Sequence, residues 1–214
     1  INNFGRMVNV AINGFGRIGR PVLRIILKKF PNLKILAIND LSDPQILAHL
    51  LRYDSIYRTY ENRAKAVGSS LHIDGVSKGR KIDIFSEADP SKLPWKKMGV
   101  DIVLECSGKF TDYNGAVKHI RAGAKKVILS TSSKDSAKIP SYVLGVNAEN
   151  YNSKKEKIVD MASCTTNCLA PIAKVLNDNF GIQKGFMTTV HSYTNDQRIL
   201  DFAHNDLRRA RAAA

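Results

Sequence analysis

The stretch that most constrains this chain is Gly14-Phe-Gly16-Arg-Ile-Gly19, set between a strand-like run and a helical one. Before it, residues 8–13 are β-rich and largely apolar, the pattern of a strand buried on both faces. After it, Val22, Leu23, Ile26 and Leu27 recur at helical spacing, and Pro21 is tolerated in a first turn. A second strand-like run, 34–39, ends on Asp40, at about the 20-residue spacing of a dinucleotide fingerprint. Each part has its own physical reason. Gly14 permits the tight turn, Gly16 lets the backbone approach a pyrophosphate, and Gly19 lets the helix pack close on the strand. The helix N-terminus then faces the phosphates, with Arg17 adding positive charge. Asp40 would accept hydrogen bonds from a ribose diol and repel a 2′-phosphate, which favours NAD over NADP.

The rest of the first 160 residues continues this pattern, with one interruption. Residues 44–51 read as a short amphipathic helix, and 64–85 alternate around Asp74-Gly75 and Lys78-Gly79 as a hairpin would. Residues 101–108 form another buried strand turning at Gly108, followed by a helix at 114–122 and a strand at 126–130. Ser107 and Ser130 therefore fall at successive carboxyl ends of a parallel sheet, where open α/β folds bind ligands. Cys106 reads as a small buried hydrophobe. Short strands are expected at 142–146 and 157–160. A helix is then expected from Cys164 to about Phe180, and a strand at 185–191 ending on His191. The fold class is α/β: a Rossmann-type doubly wound parallel sheet, followed by the start of an α+β catalytic domain.

A second stretch carries the chemistry. In Met161-Ala-Ser-Cys-Thr-Thr-Asn-Cys168, Cys164 sits where a loop becomes a helix. Unsatisfied N–H groups and the positive end of the helix dipole there lower a thiol's pKa and favour a thiolate nucleophile. His191 is the candidate base. A thiolate beside a nicotinamide points to aldehyde oxidation through a hemithioacetal and a thioester, released by a second nucleophile.

Composition narrows the setting. The net charge is +14, but lysines and arginines are spread as singles and pairs such as Lys28-Lys29 and Lys125-Lys126. That is a solvated basic surface, and it argues against a nucleic-acid-binding module, the competing reading from a different class. Three cysteines, an odd number, argue against a secreted disulfide framework. Cys164 and Cys168 lack the second Cys or His pair of a metal site. With no apolar run of membrane-spanning length, a cytoplasmic protein is expected. Residues 1–6 read as a leader or upstream residues before Met7, which looks like a natural start. Residues 207–214 stop without a strand, cap or breaker, so a C-terminally truncated fragment, inactive alone, is expected.

Ser163-Cys-Thr-Thr-Asn-Cys168, Asn13-Gly-Phe-Gly-Arg-Ile-Gly19 and His191-Ser-Tyr-Thr194 together resemble phosphorylating glyceraldehyde-3-phosphate dehydrogenases of the bacterial type. The resemblance implies glyceraldehyde 3-phosphate as substrate and inorganic phosphate as second nucleophile, with Cys164 attacking and His191 activating it. It assigns Ser163, Thr165 and Thr194 to substrate or inorganic phosphate, and Arg209 to the inorganic-phosphate site. Arg17, Ile18, Asp40 and Ser130 become cofactor contacts, with Ser107 lining the nicotinamide side. It implies a homotetramer for the intact protein, while the composition shift near Ser163 marks the boundary between a dinucleotide domain over 7–162 and a catalytic domain beginning at 163. The erythrose-4-phosphate dehydrogenase branch shares the cysteine, histidine and fingerprint, but departs at Tyr193 and Thr194. Ala88, Thr131-Ser-Ser-Lys134 and Phe202-Ala203 depart from the usual pattern of the resembled family.

Overall fold

The computed structural model describes residues 7–75 and 79–213. The expected leader at 1–6, Lys78 of the hairpin signature and Ala214 lie outside the described residues. The elements in order are β1 (Val8–Asn13), α1 (Gly19–Lys29), β2 (Leu33–Asn39), α2 (Pro44–Arg52), β3 (Tyr53–Asp54), β4 (Arg58–Thr59), β5 (Ala64–Val67), β6 (Ser70–Ile73), β7 (Arg80–Phe85), α3 (Trp95–Met98), β8 (Ile102–Glu105), α4 (Tyr113–Arg121), β9 (Lys126–Leu129), β10 (Ile158–Asp160) and α5 (Cys164–Phe180).

Eight of the described strands form one sheet in the order β10-β9-β8-β1-β2-β7-β6-β5. The six from β10 to β7 run parallel, and β6 and β5 are added antiparallel at one edge. The chain winds outward from β1 through β2 and β7, then returns to place β8 on the other side of β1. That reversal is the switch point at which doubly wound sheets open a ligand crevice. Both faces of β1 are buried, which explains its lack of polar alternation. Val10 and Ile12 join Leu23, Ile26, Leu47 and Leu51 in one core, while Ala11 joins Trp95, Val103, Ala116 and Val127 in another.

Local chemistry sets the helix starts. Asp43 accepts from Gln45 N–H at 2.8 Å to cap α2, and Asp112 accepts from Gly115 N–H at 2.7 Å to cap α4. The expected hairpin is present twice, as β5–β6 and β6–β7.

Two expected strands are absent. Residues 142–146 form turns, with pairing limited to an isolated bridge from Ser141 to Asp160. Residues 185–191 have no strand structure, and Phe186 and Val190 are fully exposed. The apolar run has β-propensity, but a strand exists through its ladder, and no described strand pairs with it. Among the described residues, no helix is long and apolar enough to cross a membrane. The chain divides into two compact units, the first ending at Lys174 and the second starting at Val175.

Candidate active site

In the first unit, one groove of about 240 Å³ at the carboxyl ends of β1, β2 and β8 is lined by Gly14, Gly16, Asp40 and Ser107. Asn13, Asn39, Glu87 and Cys106 share it. Gly14 has φ +89°, and a Cβ there would lie 2.5 Å from the Ser107 backbone. Glycine is thus required twice, by conformation and by contact. A Cβ on Gly19 would collide with the Gly14 carbonyl oxygen, whereas one on Gly16 would meet open space. The opening beside Gly16 is what a pyrophosphate needs if it is to reach the loop backbone. Asp40 stands at the tip of β2, its carboxylate accepting from Phe15 N–H at 2.7 Å and Ser42 N–H at 2.9 Å. One of the glycine loop's own amides therefore holds the acid in place. This loop, opening and acid fit a dinucleotide.

Arg17 takes a different place from the expected one at the phosphates. Its guanidinium pairs with Asp54 and lies over the Tyr57 ring. Ile18, at the N-cap of α1, is half exposed. Burial alone would push the Asp54 carboxyl up. The Tyr57 N–H, the Arg17 guanidinium and the Ile56 N–H outweigh it and hold the group at about 2, below its usual 3.8. A depressed folded value stabilises the fold above pH 4, and that contribution disappears as pH falls from about 4 to 2. Asp54→Asn is expected to lower stability on the order of 2 kcal/mol at pH 7 and to have little effect near pH 2. Urea midpoints of the two proteins at pH 7, 4 and 2.5 check this, and a pH-independent gap would refute it.

Beneath the groove lies a polar chain that the sequence reading did not single out. Glu105, 2% exposed, accepts from Asn13 Nδ2 at 2.5 Å, Ser107 N–H at 2.7 Å and the Ser107 hydroxyl. His119 Nε2 lies 3.0 Å from the same carboxylate, and Trp95 Nε1 donates to His119 Nδ1 at 3.1 Å. Indole can only donate, so Nδ1 is the acceptor and Nε2–H points at Glu105. Asn39 continues the chain, donating to Asn13 Oδ1 at 2.7 Å. The signal was present: a carboxylate closing the apolar run Ile102-Val-Leu-Glu105 needs partners.

Cys106 lies just past β8 rather than inside it. Burial is the main reason its thiol is raised to about 12, with the Glu105 charge adding to it and a Ser130 hydrogen bond opposing. Ser130 N–H donates to the Glu105 carbonyl at 3.0 Å, which fixes it at the end of β9.

Cys164 is the first residue of α5 and is exposed. Ser163 caps the helix, its Oγ accepting from Thr166 N–H at 3.0 Å and lying 2.8 Å from Thr166 Oγ1. Asn167 Nδ2 donates back to the Met161 and Ser163 carbonyls at 2.6 and 2.9 Å. Thr165 lies in the same first turn, with Cys164 and Ser163 in the first unit.

His191, Thr194 and Arg209 belong to the second unit. His191 Nδ1 lies 2.5 Å from the Ser192 carbonyl oxygen, which can only accept, so Nδ1 carries hydrogen and Nε2 is the basic nitrogen. Thr194 closes a turn with Gln197, its N–H donating to Oε1 at 2.7 Å and its carbonyl accepting from Gln197 N–H at 3.0 Å. Arg209 pairs with Asp196 and approaches Asp206 at 3.7 Å.

A family model described as the NAD binding domain of glyceraldehyde 3-phosphate dehydrogenase matches residues 8–113. One described as that enzyme's C-terminal domain matches residues 163–214. Glyceraldehyde-3-phosphate dehydrogenase of Geobacillus stearothermophilus is 53% identical over 207 residues, covering 97% of this chain and 60% of the relative. The Borreliella burgdorferi protein of that name is 53% identical over 212 residues, and the Thermotoga maritima one 52% over 209. Each covers 97% of this chain and 61% of the relative. The chain thus spans about three-fifths of the length of the curated relatives it matches.

Proposed function

We propose, because the chain belongs to the glyceraldehyde-3-phosphate dehydrogenase family, that the protein oxidises glyceraldehyde 3-phosphate to 1,3-bisphosphoglycerate with NAD and inorganic phosphate. The observation that carries this reading is the pairing of two seats within one unit: the Gly14–Gly16 groove with Asp40 and the exposed Cys164 in the first turn of α5. The family match supplies the substrate.

In the proposed order, His191 Nε2 takes the Cys164 thiol proton, the thiolate bonds to the aldehyde carbon, and the proton returns from Nε2 to the carbonyl oxygen, giving a hemithioacetal. His191 Nε2 takes the hydroxyl proton as hydride leaves that carbon, and a thioester remains on Cys164. NAD, when bound, supplies the hydride acceptor. Inorganic phosphate then attacks the thioester carbon, and the thiolate departs. Asp40 holds the adenosine ribose, the backbone of the loop from Gly14 through Arg17, Ile18 and Gly19 carries the pyrophosphate while the Arg17 guanidinium stays on Asp54, and Ser107 and Ser130 line the far side. Ser163, Thr165, Thr194 and Arg209 hold the substrate phosphate or inorganic phosphate. Residues 7–162 form the dinucleotide domain, and 163–214 begin the catalytic domain; the second family model, which starts at 163, supports this division. A homotetramer in the cytoplasm completes the proposal. The basic residues are spread as singles and pairs with no long basic run, which favours the enzyme over a nucleic-acid-binding reading.

The experiment has two arms. The 214 residues alone are expected to bind NAD more tightly than NADP in a calorimetric titration and to form no NADH from substrate. The protein with the complete C-terminal family domain is expected to form NADH, at 340 nm, in a phosphate-dependent manner. A higher kcat/KM for erythrose 4-phosphate, or a rate indifferent to phosphate, would sink the substrate assignment.

A further inference from the structure

β10 ends on a carboxylate rather than an apolar side chain. Asp160 has no exposed surface, and its two oxygens hold two different loops. Oδ1 accepts from Ala162 N–H at 2.7 Å, and Oδ2 accepts from Ser133 N–H at 2.9 Å. The Asp160 backbone is equally occupied, its N–H donating to the Pro140 carbonyl at 3.0 Å and its carbonyl accepting from Tyr142 at 2.9 Å.

The residue it holds is unusual. Ala162 is buried and has φ +57°, in the left-handed region that a residue with a Cβ enters only under constraint. Helix α5 begins two residues later at Cys164. The chain therefore changes direction from strand to helix at a conformation alanine does not choose, with the Ala162 N–H donating to a buried carboxylate.

We propose that Asp160 is a positioning residue for Cys164, holding Ala162 left-handed so that the thiol is seated in the first turn of α5. This rests on Cys164 being the nucleophile. The geometric role and the charge of Asp160 have opposite signs. Deleting a buried negative charge would by itself make a nearby thiolate easier to form. Losing the turn would take the thiol away from the helix amides and make it harder.

The test uses the chain with Cys168→Ser, so that the exposed thiol is Cys164 and the remaining one is the half-buried Cys106, whose thiol is pushed up to about 12. The rate of alkylation by iodoacetamide is followed against pH, and the modified residue is confirmed by peptide mass spectrometry. The parent is expected to have its midpoint below the roughly 8.5 of an ordinary thiol. Asp160→Ala is expected to raise that midpoint by about one pH unit and slow alkylation at pH 7 roughly tenfold. Adding Ala162→Gly, which takes positive φ without a side-chain clash, is expected to restore most of both. Should Asp160→Ala not fold, Asp160→Ser, with one acceptor on a shorter arm, is read in the same way.

A depressed parent midpoint that the Asp160 variant leaves in place or lowers overturns the positioning role alone. So does a raised midpoint that glycine at 162 fails to rescue. A parent midpoint at or above the ordinary value removes the nucleophile reading as well.

Discussion

Cys164→Ser, in the protein carrying the complete C-terminal family domain, is expected to lower aldehyde oxidation by on the order of 10⁴-fold or more. A serine hydroxyl in the first turn of α5 gains far less from the helix amides than a thiol, because its proton is held much more tightly. No hemithioacetal forms at a useful rate, so the fall should lie in kcat. NAD affinity should be unchanged within about twofold, since the groove is lined by residues of the β1, β2 and β8 ends and Cys164 is not among them. Stopped-flow NADH formation and calorimetric NAD titration on the same preparation separate the two quantities. Turnover persisting within a hundredfold of the parent would remove Cys164 from the mechanism.

The second large effect is expected at the glycine loop, where two neighbouring substitutions should part company. Gly14→Ala places a Cβ 2.5 Å from the Ser107 backbone at a φ of +89°. Neither strain can relax without moving β1 or the end of β8, so a loss of about 3 kcal/mol or more is expected. Gly16→Ala meets nothing within 4 Å, so the fold should lose less than about 1 kcal/mol. Its methyl group would stand instead where the pyrophosphate must approach, and NAD affinity should fall by about tenfold or more. Urea denaturation and NAD titration of both variants give the comparison. A Gly16 variant with parental NAD affinity would mean that the phosphates do not pass over this loop.

The parts of the fold that were legible in the sequence are those whose causes are local. The glycine loop, α1, β2 and the tip acid Asp40 follow from turn chemistry, periodicity and spacing within some 30 residues. The turn at Ala162 was not legible, because alanine carries no left-handed preference and the acid that imposes it also depends on Ser133, in another loop. The need of Glu105 for partners was legible, but their identity was not: Asn13 lies 92 positions away in sequence. The run 185–191 was misread for the complementary reason. Its residues have strand character, but character alone supplies no ladder. Arg17 shows how a motif can be read correctly and one of its side chains misplaced, since Asp54 competes for the guanidinium.

Cys106 has a consequence for the chemistry of the groove it lines. A second sulfur nucleophile facing an electrophilic ring or aldehyde would divert reactant into dead-end adducts. With its thiol pushed to about 12, only on the order of one molecule in 10⁵ carries a thiolate there at neutral pH. The wall of the groove is thereby kept chemically mute, which on the proposed reaction leaves covalent capture of the aldehyde to Cys164 at the mouth of α5.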